Sequence, residues 1–293
     1  MLDIKNIKEN ESLKLHTTYK VGGVAKYYIS PESVDELIKL VKYLKENNIK
    51  YMILGNGSNT IFSSKTYDGV VINLSNLNKM EINGNKIFVE AGYQLIKLAL
   101  DAMNNSLSGL EFASGIPANV GGAIFMNAGA YKSEIANIIT DVTFLDEDLN
   151  IKTLNKDELD FSYRHSIFQE KDYIIISANL KLEYGDKEEI KEVINTRKER
   201  RMETQPLEYP SAGSVFRNPA EDIYAGKLIE DLGLKGYSIG DAKISEKHAN
   251  FIINNGNATG EDIKDLIDLV KNKVKEKYNI DLIVEQRFVN FGD

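Results

Sequence analysis

Two glycine-rich segments and three polar clusters carry whatever chemistry this chain performs. The loop Gly55-Asn56-Gly57-Ser58-Asn59-Thr60 follows a predicted strand. Glycines there let backbone N–H groups approach an anion closely, as a phosphate cradle requires. The loop lacks the Gly-Lys-Ser/Thr ending of a P-loop, and Thr60 stands where a Rossmann fingerprint needs glycine or alanine. A second segment, Gly115-Ile116-Pro117-Ala118-Asn119-Val120-Gly121-Gly122-Ala123, offers further amides, and Asn127-Ala128-Gly129-Ala130-Tyr131 continues a surface with few bulky side chains. Two such loops suit a pyrophosphate. A tightly packed glycine-alanine crossing accounts for the same pattern.

The polar clusters are Ser211-Ala212-Gly213-Ser214-Val215-Phe216-Arg217-Asn218-Pro219, Tyr163-Arg164-His165-Ser166 and Glu285-Gln286-Arg287. The first fits an anion or proton-donor site, or an ordinary polar turn opening a domain. The second places a planar guanidinium, suited to a carboxylate, in a polar turn. In the third, Glu285 alternates with Ile283 and Arg287, so the three share one face of a strand; a surface ion pair is the plainer reading. His16, His165 and His248 show no metal-ligand spacing, so no metal site is expected, and no Gly-x-Ser-x-Gly elbow exists. With no cysteine, disulfides, thiolate metal sites and a cysteine nucleophile are excluded. A net charge of -8 repels a phosphate backbone, so nucleic acid is not an expected partner.

The elements that must position these residues are of mixed type. Strands are predicted at 25–29, 50–54, 69–74, 86–91, 141–146, 173–184, 249–253 and 281–289, with Asn83-Gly84 marking a tight turn. A first helix is read with Ser30 as N-cap, Pro31 in its first turn, and an apolar face of Val34, Leu37, Ile38, Val41 and Leu44. Others are read over 94–103, from Asp186 with Glu189 completing a capping box, around 227–232, and behind Thr259 with the stripe Ile263, Leu266, Ile267, Val270 and Val274. The run Arg197-Lys198-Glu199-Arg200-Arg201 is read as a solvated helix face. Residues 107–131 fit no element of conventional length. Pro206, Pro210 and Pro219 suggest an irregular passage into a new domain near residue 200. A length of 293 residues supports two or three domains. The first sixteen residues hold no apolar signal-peptide core, and no stretch approaches the ~20 apolar residues that span a bilayer, so a cytoplasmic protein without membrane partners is expected.

Taken in order, seven motifs resemble the UDP-N-acetylenolpyruvoylglucosamine reductase (MurB) family. They are His16-Thr17-Thr18 to Gly22-Gly23, the two glycine segments, Ser162-Tyr163-Arg164, Ser211 to Pro219, Ala225-Gly226-Lys227-Leu228-Ile229-Glu230, and Lys247-His248-Ala249-Asn250-Phe251. The resemblance covers essentially the whole chain and is to the compact branch of the family. It implies an α+β protein: a two-subdomain FAD-binding fold of the PCMH/vanillyl-alcohol-oxidase type plus a C-terminal α+β substrate-binding domain. The expected divisions are 1–75, 76–200 and 201–279, with strand 280–293 folding back onto the first subdomain.

The resemblance further implies an NADPH-dependent flavoprotein of peptidoglycan precursor synthesis, a monomer acting on a UDP-sugar. FAD is held by Gly55, Asn56, Gly57, Ser58, Asn59, Thr60, Gly115, Ile116, Pro117, Ala118, Val120, Gly121, Gly122, Ala123, Asn127, Ala128 and Gly129. Arg164 polarises the substrate carboxylate, Glu285 assists as a neutral acid, Ser214 delivers a proton, and Tyr163, Arg217 and Asn218 grip the diphosphate or sugar. The chain departs from the family pattern at Ala118, Arg217 and Tyr19, where glycine, lysine and phenylalanine are usual. An FAD-dependent sugar or alcohol oxidase, and a nucleotide-sugar binding module without redox activity, are the alternatives.

Overall fold

The computed structural model describes residues 5–292. Residues 1–4 of the expected first subdomain and residue 293 of the expected last strand lie outside them. The chain forms two compact units. Unit 1 comprises Met1–Glu9, Tyr27–Asn56 and Gly69–Glu199; unit 2 comprises Asn10–Lys26, Gly57–Asp68 and Arg200–Asp293. Each has its own apolar core. The first 75 residues therefore contribute to both units, and the division falls inside the first glycine loop, after Asn56.

Unit 1 is built on a five-stranded antiparallel sheet in the order Ile151–Asn155, Ile139–Leu145, Ile174–Lys181, Lys86–Glu90, Met80–Asn83. The central strand begins Ile-Ile-Ile and is buried over its first five residues, as a strand covered on both faces must be. Asn83 pairs with Lys86, so the hairpin loop is Gly84-Asn85. Gly84 takes φ +60°, the backbone that a two-residue hairpin asks of its first central residue. Tyr51–Leu54 pairs in parallel with Tyr67–Asn73, and the helix α1, Val34–Glu46, precedes it.

The N-cap of α1 is Ser33, not Ser30. The Ser33 side chain accepts from the Glu36 N–H at 3.2 Å, and the Glu36 carboxylate accepts from the Glu32 N–H, so Pro31 lies ahead of the helix. The helix α2, Leu95–Asn104, buries Leu95, Leu98, Ala99 and Ala102, one stripe at helical spacing. Residues 107–131 contain only short elements, among them the six-residue helix α3, Val120–Phe125, and the two-residue strands Leu107–Ser108 and Gly129–Ala130. The helix α4, Lys187–Thr204, opens with Asp186 accepting from the Glu188 and Glu189 N–H groups and buries only Ile190 and Ile194. In its charge run Lys198, Glu199 and Arg200 are exposed as expected, while Arg197 and Arg201 are half-buried and the Arg197 guanidinium lies 4.7 Å over the Tyr131 ring.

Unit 2 holds the helices α5, Ala225–Asp231, and α6, Gly260–Tyr278, with an antiparallel sheet of Ser238–Ile239, Ala242–Ile244 and Ile252–Asn254. Thr259 and Asp262 form a reciprocal capping box, and all five expected stripe residues of α6 are buried. Two expected strands are shorter than read. At 249–253 the regular strand starts only at Ile252, because Phe251 N–H closes a turn on His248 O and Asn250 serves another segment. At 281–289 only Arg287–Val289 is regular, paired in parallel with Thr60–Phe62. Ahead of it the chain makes a single antiparallel bridge, Phe216 to Val284, and bends at Gln286. Among the described residues no helix is long and apolar enough to cross a membrane.

Glycine at the first position of α6 is a packing requirement. A Cβ on Gly260 would stand 1.9 Å from Phe62 O. Gly260→Ala is expected to lower stability by at least the ~1–3 kcal/mol typical of overpacking, read as a shifted urea midpoint at unchanged slope.

Candidate active site

In unit 1 the start of the first glycine loop meets the second glycine segment. Asn56 Nδ2 donates to Pro117 O at 2.6 Å, and Asn73 Nδ2 donates to Leu54 O and Gly55 O at 2.9 and 3.0 Å. The second segment was expected to offer its amides outward. Most are spent inside the unit: Ile116 N–H donates to Ala113 O, Ala118 to Ile116 O, Val120 to Tyr93 O, Gly121 to Ala91 O and Ala123 to Asn119 O. A Cβ on Gly121 would lie 2.9 Å from the Ala91 Cβ, so this glycine serves close packing. Gly122 differs, being exposed with nothing within 4 Å of where a Cβ would stand. Ala118 is not among the described non-glycine residues with positive φ, as alanine requires.

The first loop is the better anion cradle. Among the described residues no acceptor takes the N–H groups of Asn56, Gly57 and Ser58. Gly57 takes φ +61°, and a Cβ there would stand 2.1 Å from His16 O. Glycine is obligatory at this position whatever the loop binds.

Arg164, also in unit 1, sits in the turn Ser162 to His165, closed by His165 N–H to Ser162 O at 3.0 Å and Ser162 N–H to His165 O at 3.3 Å. Its Nη2 donates to Gly129 O at 2.8 Å, and the guanidinium carbon lies 5.2 Å from the Tyr163 ring centre. Ala128 N–H closes back on Ala123 O, and Asn127 is fully buried. The next residue, His165, has Nε2 3.3 Å from carboxylate oxygens of both Asp160 and Glu170, an arrangement that no His-to-His spacing discloses.

Unit 2 gathers the remaining candidates around its C-terminal segment. Asn59 Nδ2 donates to Glu285 O at 3.1 Å and Arg287 N–H to Asn59 O at 2.9 Å, while Thr60 pairs with Arg287 in the parallel ladder. Glu285 N–H donates to Val215 O at 2.8 Å and Arg217 N–H to Ile283 O at 2.9 Å. Along 282–287 the even-numbered Leu282 and Gln286 are buried while Ile283 and Arg287 are exposed and Glu285 is half-buried. Val284 is half-buried like Glu285 and the chain bends at Gln286, so the strand alternation expected of Ile283, Glu285 and Arg287 is not kept. Gln286 Nε2 donates to Ala212 O at 3.0 Å and lies 3.4 and 3.5 Å from Gly213 O and Ser214 O. Turning three successive carbonyls toward one nitrogen needs a sharp reversal, and Gly213 supplies it with φ +73°. Tyr19, fully buried, donates its hydroxyl to Gln286 Oε1 at 3.0 Å, and burial pushes its phenol well above the usual range, so it stays a neutral donor.

Asn250 completes the hold on the Ser214 loop: its Oδ1 accepts from Phe216 N–H at 3.0 Å, its Nδ2 donates to Phe216 O at 2.9 Å, and its backbone O accepts from Val215 N–H. Asn218 Oδ1 accepts from Ala225 N–H at the start of α5. Asn250 and Gln286 were present in the motifs with no role assigned. An amide side chain inside the apolar run Ala249-Asn250-Phe251-Ile252-Ile253 was the available signal, since a buried polar group demands a partner.

Residues 25–155 match the family model described as FAD binding domain, and residues 205–289 match UDP-N-acetylenolpyruvoylglucosamine reductase, C-terminal domain. A UDP-N-acetylenolpyruvoylglucosamine reductase of Caldanaerobacter subterraneus subsp. tengcongensis is 51% identical, with 96% of this chain and 92% of that protein covered. The chain belongs to the UDP-N-acetylenolpyruvoylglucosamine reductase family. The Clostridium novyi reductase is 47% identical over 99% of this chain and 94% of its own length. The crystal structure of MurB from Thermus caldophilus superposes with a TM-score of 0.83 at 33% identity, covering 97% and 98% of the two chains. A moss protein, Physcomitrella patens BBE-like 1, shares the fold alone, with TM-score 0.51 and 16% identity over 61% of this chain and 42% of its own. Both glycine segments of this reductase-family chain lie inside the FAD-binding match, and Ser214 and Glu285 lie inside the C-terminal match.

Asn250→Ala orphans the buried N–H and carbonyl of Phe216, each expected to cost about 1–3 kcal/mol. Equilibrium urea unfolding should register that loss.

Proposed function

We infer that the chain is an NADPH-dependent oxidoreductase of peptidoglycan precursor synthesis. It reduces the enolpyruvyl ether of UDP-N-acetylglucosamine enolpyruvate to UDP-N-acetylmuramate. The observation that carries this reading is near-full-length identity of 44–51% to reductases of that name, with both family domains matched. In this reading residues 1–75 and 76–200 are the FAD-binding subdomains, 280–293 returns to the first, and 201–279 binds substrate. The enzyme acts as a cytoplasmic monomer on small molecules, without nucleic-acid or membrane partners.

The residues present fit FAD. Open N–H donors at Asn56, Gly57 and Ser58, on a loop where glycine is forced, suit a pyrophosphate, and Asn59, Thr60 and the Gly115 to Ala123 segment are assigned to the same cofactor. The exposed, side-chain-free backbone at Gly122 suits a flat ring, and Ala128 and Gly129 are assigned to the same cofactor. When bound, FAD would supply hydride transfer from NADPH to the methylene carbon of the enolpyruvyl group.

What this chain's own side chains must then do follows from where charge develops. The carbon next to the methylene gains carbanion character conjugated to a carboxylate, and fixed positive charge there lowers the barrier. Arg164 is assigned to that carboxylate; its bond to Gly129 O fixes the guanidinium before substrate arrives. Ser214 gives its hydroxyl proton to the carbon, completing addition of one hydride and one proton across the double bond. The loop carrying it is pinned at Ala212 O, Val215 O, Val215 N–H and Phe216 N–H, so the backbone that bears the hydroxyl is held in place. Glu285, as a neutral acid, donates a hydrogen bond to the enolate oxygen. Tyr163, Arg217 and Asn218 hold the diphosphate or sugar.

An anaerobic visible spectrum tests the reading in one cuvette. The FAD-loaded protein should be yellow, bleach with NADPH, and turn yellow again on adding UDP-N-acetylglucosamine enolpyruvate. Bleaching without recovery would reject this substrate, and a chain that cannot be loaded with FAD would reject the reductase. Ser214→Ala should leave bleaching by NADPH intact and slow recovery by about a hundredfold or more. Equal slowing of both phases would remove Ser214 from the protonation step.

A further inference from the structure

Arg164 has φ +58°, the left-handed region that side chains of L residues rarely adopt. Such a conformation persists only where the surroundings over-determine it. Here the surroundings are three alternate residues of one segment. Phe125 O accepts from Ser166 Oγ and from Gln169 Nε2, both at 2.8 Å. Asn127 Nδ2 donates to Ser162 O at 2.9 Å, the carbonyl that also closes the turn by accepting from His165 N–H. Gly129 O accepts from the Arg164 guanidinium itself. Gln169 adds a bond from Nε2 to Arg164 O at 3.0 Å.

Asn127 is the centre of this brace. It takes φ +41°, is 0% exposed, and spends both ends of its amide inside the unit, because Oδ1 accepts from Ala136 N–H at 3.0 Å. A side chain so enclosed does not reach a cofactor. Its two bonds tie the Arg164 turn to the segment that ends at Gly129, where a Cβ would stand 2.5 Å from Ser133 O and glycine is therefore forced.

We propose that Asn127 and Gln169 are positioning residues for Arg164. They hold the Ser162 to His165 turn in its left-handed form, so that the guanidinium is already aimed when a substrate carboxylate arrives. The proposal rests on the reading of Arg164 as the carboxylate ligand, and it replaces a direct FAD contact for Asn127. Its chemistry is preorganisation: a guanidinium free to choose among rotamers would lose orientation at each turnover.

The test uses Asn127→Gly, which keeps the positive φ and removes only the side chain, beside Gln169→Leu, which loosens the same turn from its other side. Without any cofactor, amide exchange at His165 should quicken in both variants while the central strand Ile174–Lys181 stays protected. In the FAD-loaded enzyme, bleaching by NADPH should stay within about two-fold of the parent. Recovery with UDP-N-acetylglucosamine enolpyruvate should slow by about ten-fold or more, with weaker substrate binding. Adding Asn127→Gly to Arg164→Ala should change recovery by less than about two-fold, because the brace then has nothing to aim. Loss of FAD affinity, parallel slowing of both phases, or full additivity with Arg164→Ala would overturn the proposal. Impaired Arg164→Ala beside unimpaired Asn127→Gly and Gln169→Leu would overturn the positioning alone. Unimpaired Arg164→Ala would instead overturn the assignment of Arg164. If Asn127→Gly fails to fold, Gln169→Leu decides by the same readouts.

Discussion

Irregular backbone can be buried only where its N–H and carbonyl groups find partners, and in unit 2 the segment from Leu282 to Val289 supplies them. It takes the Arg217 N–H on Ile283 O, gives the Glu285 N–H to Val215 O, gives the Arg287 N–H to Asn59 O, and lays the Gln286 amide under the carbonyls from Ala212 to Ser214. Two loops far apart in sequence, 57–60 and 211–218, are thereby fastened to the segment that carries Glu285. The same segment pairs in parallel with Thr60–Phe62, whose end packs against the start of α6. The order of this unit thus depends on one stretch that is mostly not regular strand.

Glycine and left-handed residues mark where the backbone is bent for a reason other than economy of folding. Gly57, Gly121 and Gly260 stand where a Cβ would meet backbone or a neighbouring Cβ, so they explain themselves by packing. Gly122 has open space around it and is not explained that way. Arg164 and Asn127 take positive φ without being glycine, in two segments cross-linked to each other. Strain held in place by convergent hydrogen bonds is the pattern expected of a preorganised site.

Fold and activity rest on different parts of the comparison. Likeness to the moss protein at 16% identity reaches only the fold. Likeness to the bacterial reductases covers nearly every residue, including the C-terminal match that contains Ser214 and Glu285. Fold alone hosts many chemistries, so the second kind of likeness carries the function.

The amino-acid order by itself determined the regular elements with strong periodicity. The stripe from Ile263 to Val274 and the Thr259 cap were readable because burial of an apolar face and pairing of orphan amides are local demands. The ordered motifs likewise pointed to the family and to FAD. Where the demand was not local, reading failed or stopped. Ser30 and Ser33 are equally good caps on paper, and only the Ser33 hydrogen bond to Glu36 N–H decides between them. The amides of Val120 and Gly121 were expected to face a ligand and instead meet Tyr93 and Ala91, partners that folding alone brings near. No spacing rule could show that Asn127 is spent on Ser162, or that Tyr19 reaches Gln286, because such bonds join segments 35 and 267 residues apart. Hydrogen-bond partners across long loops belong to tertiary structure, since chain separation sets only the entropy of closing the loop and not which groups meet.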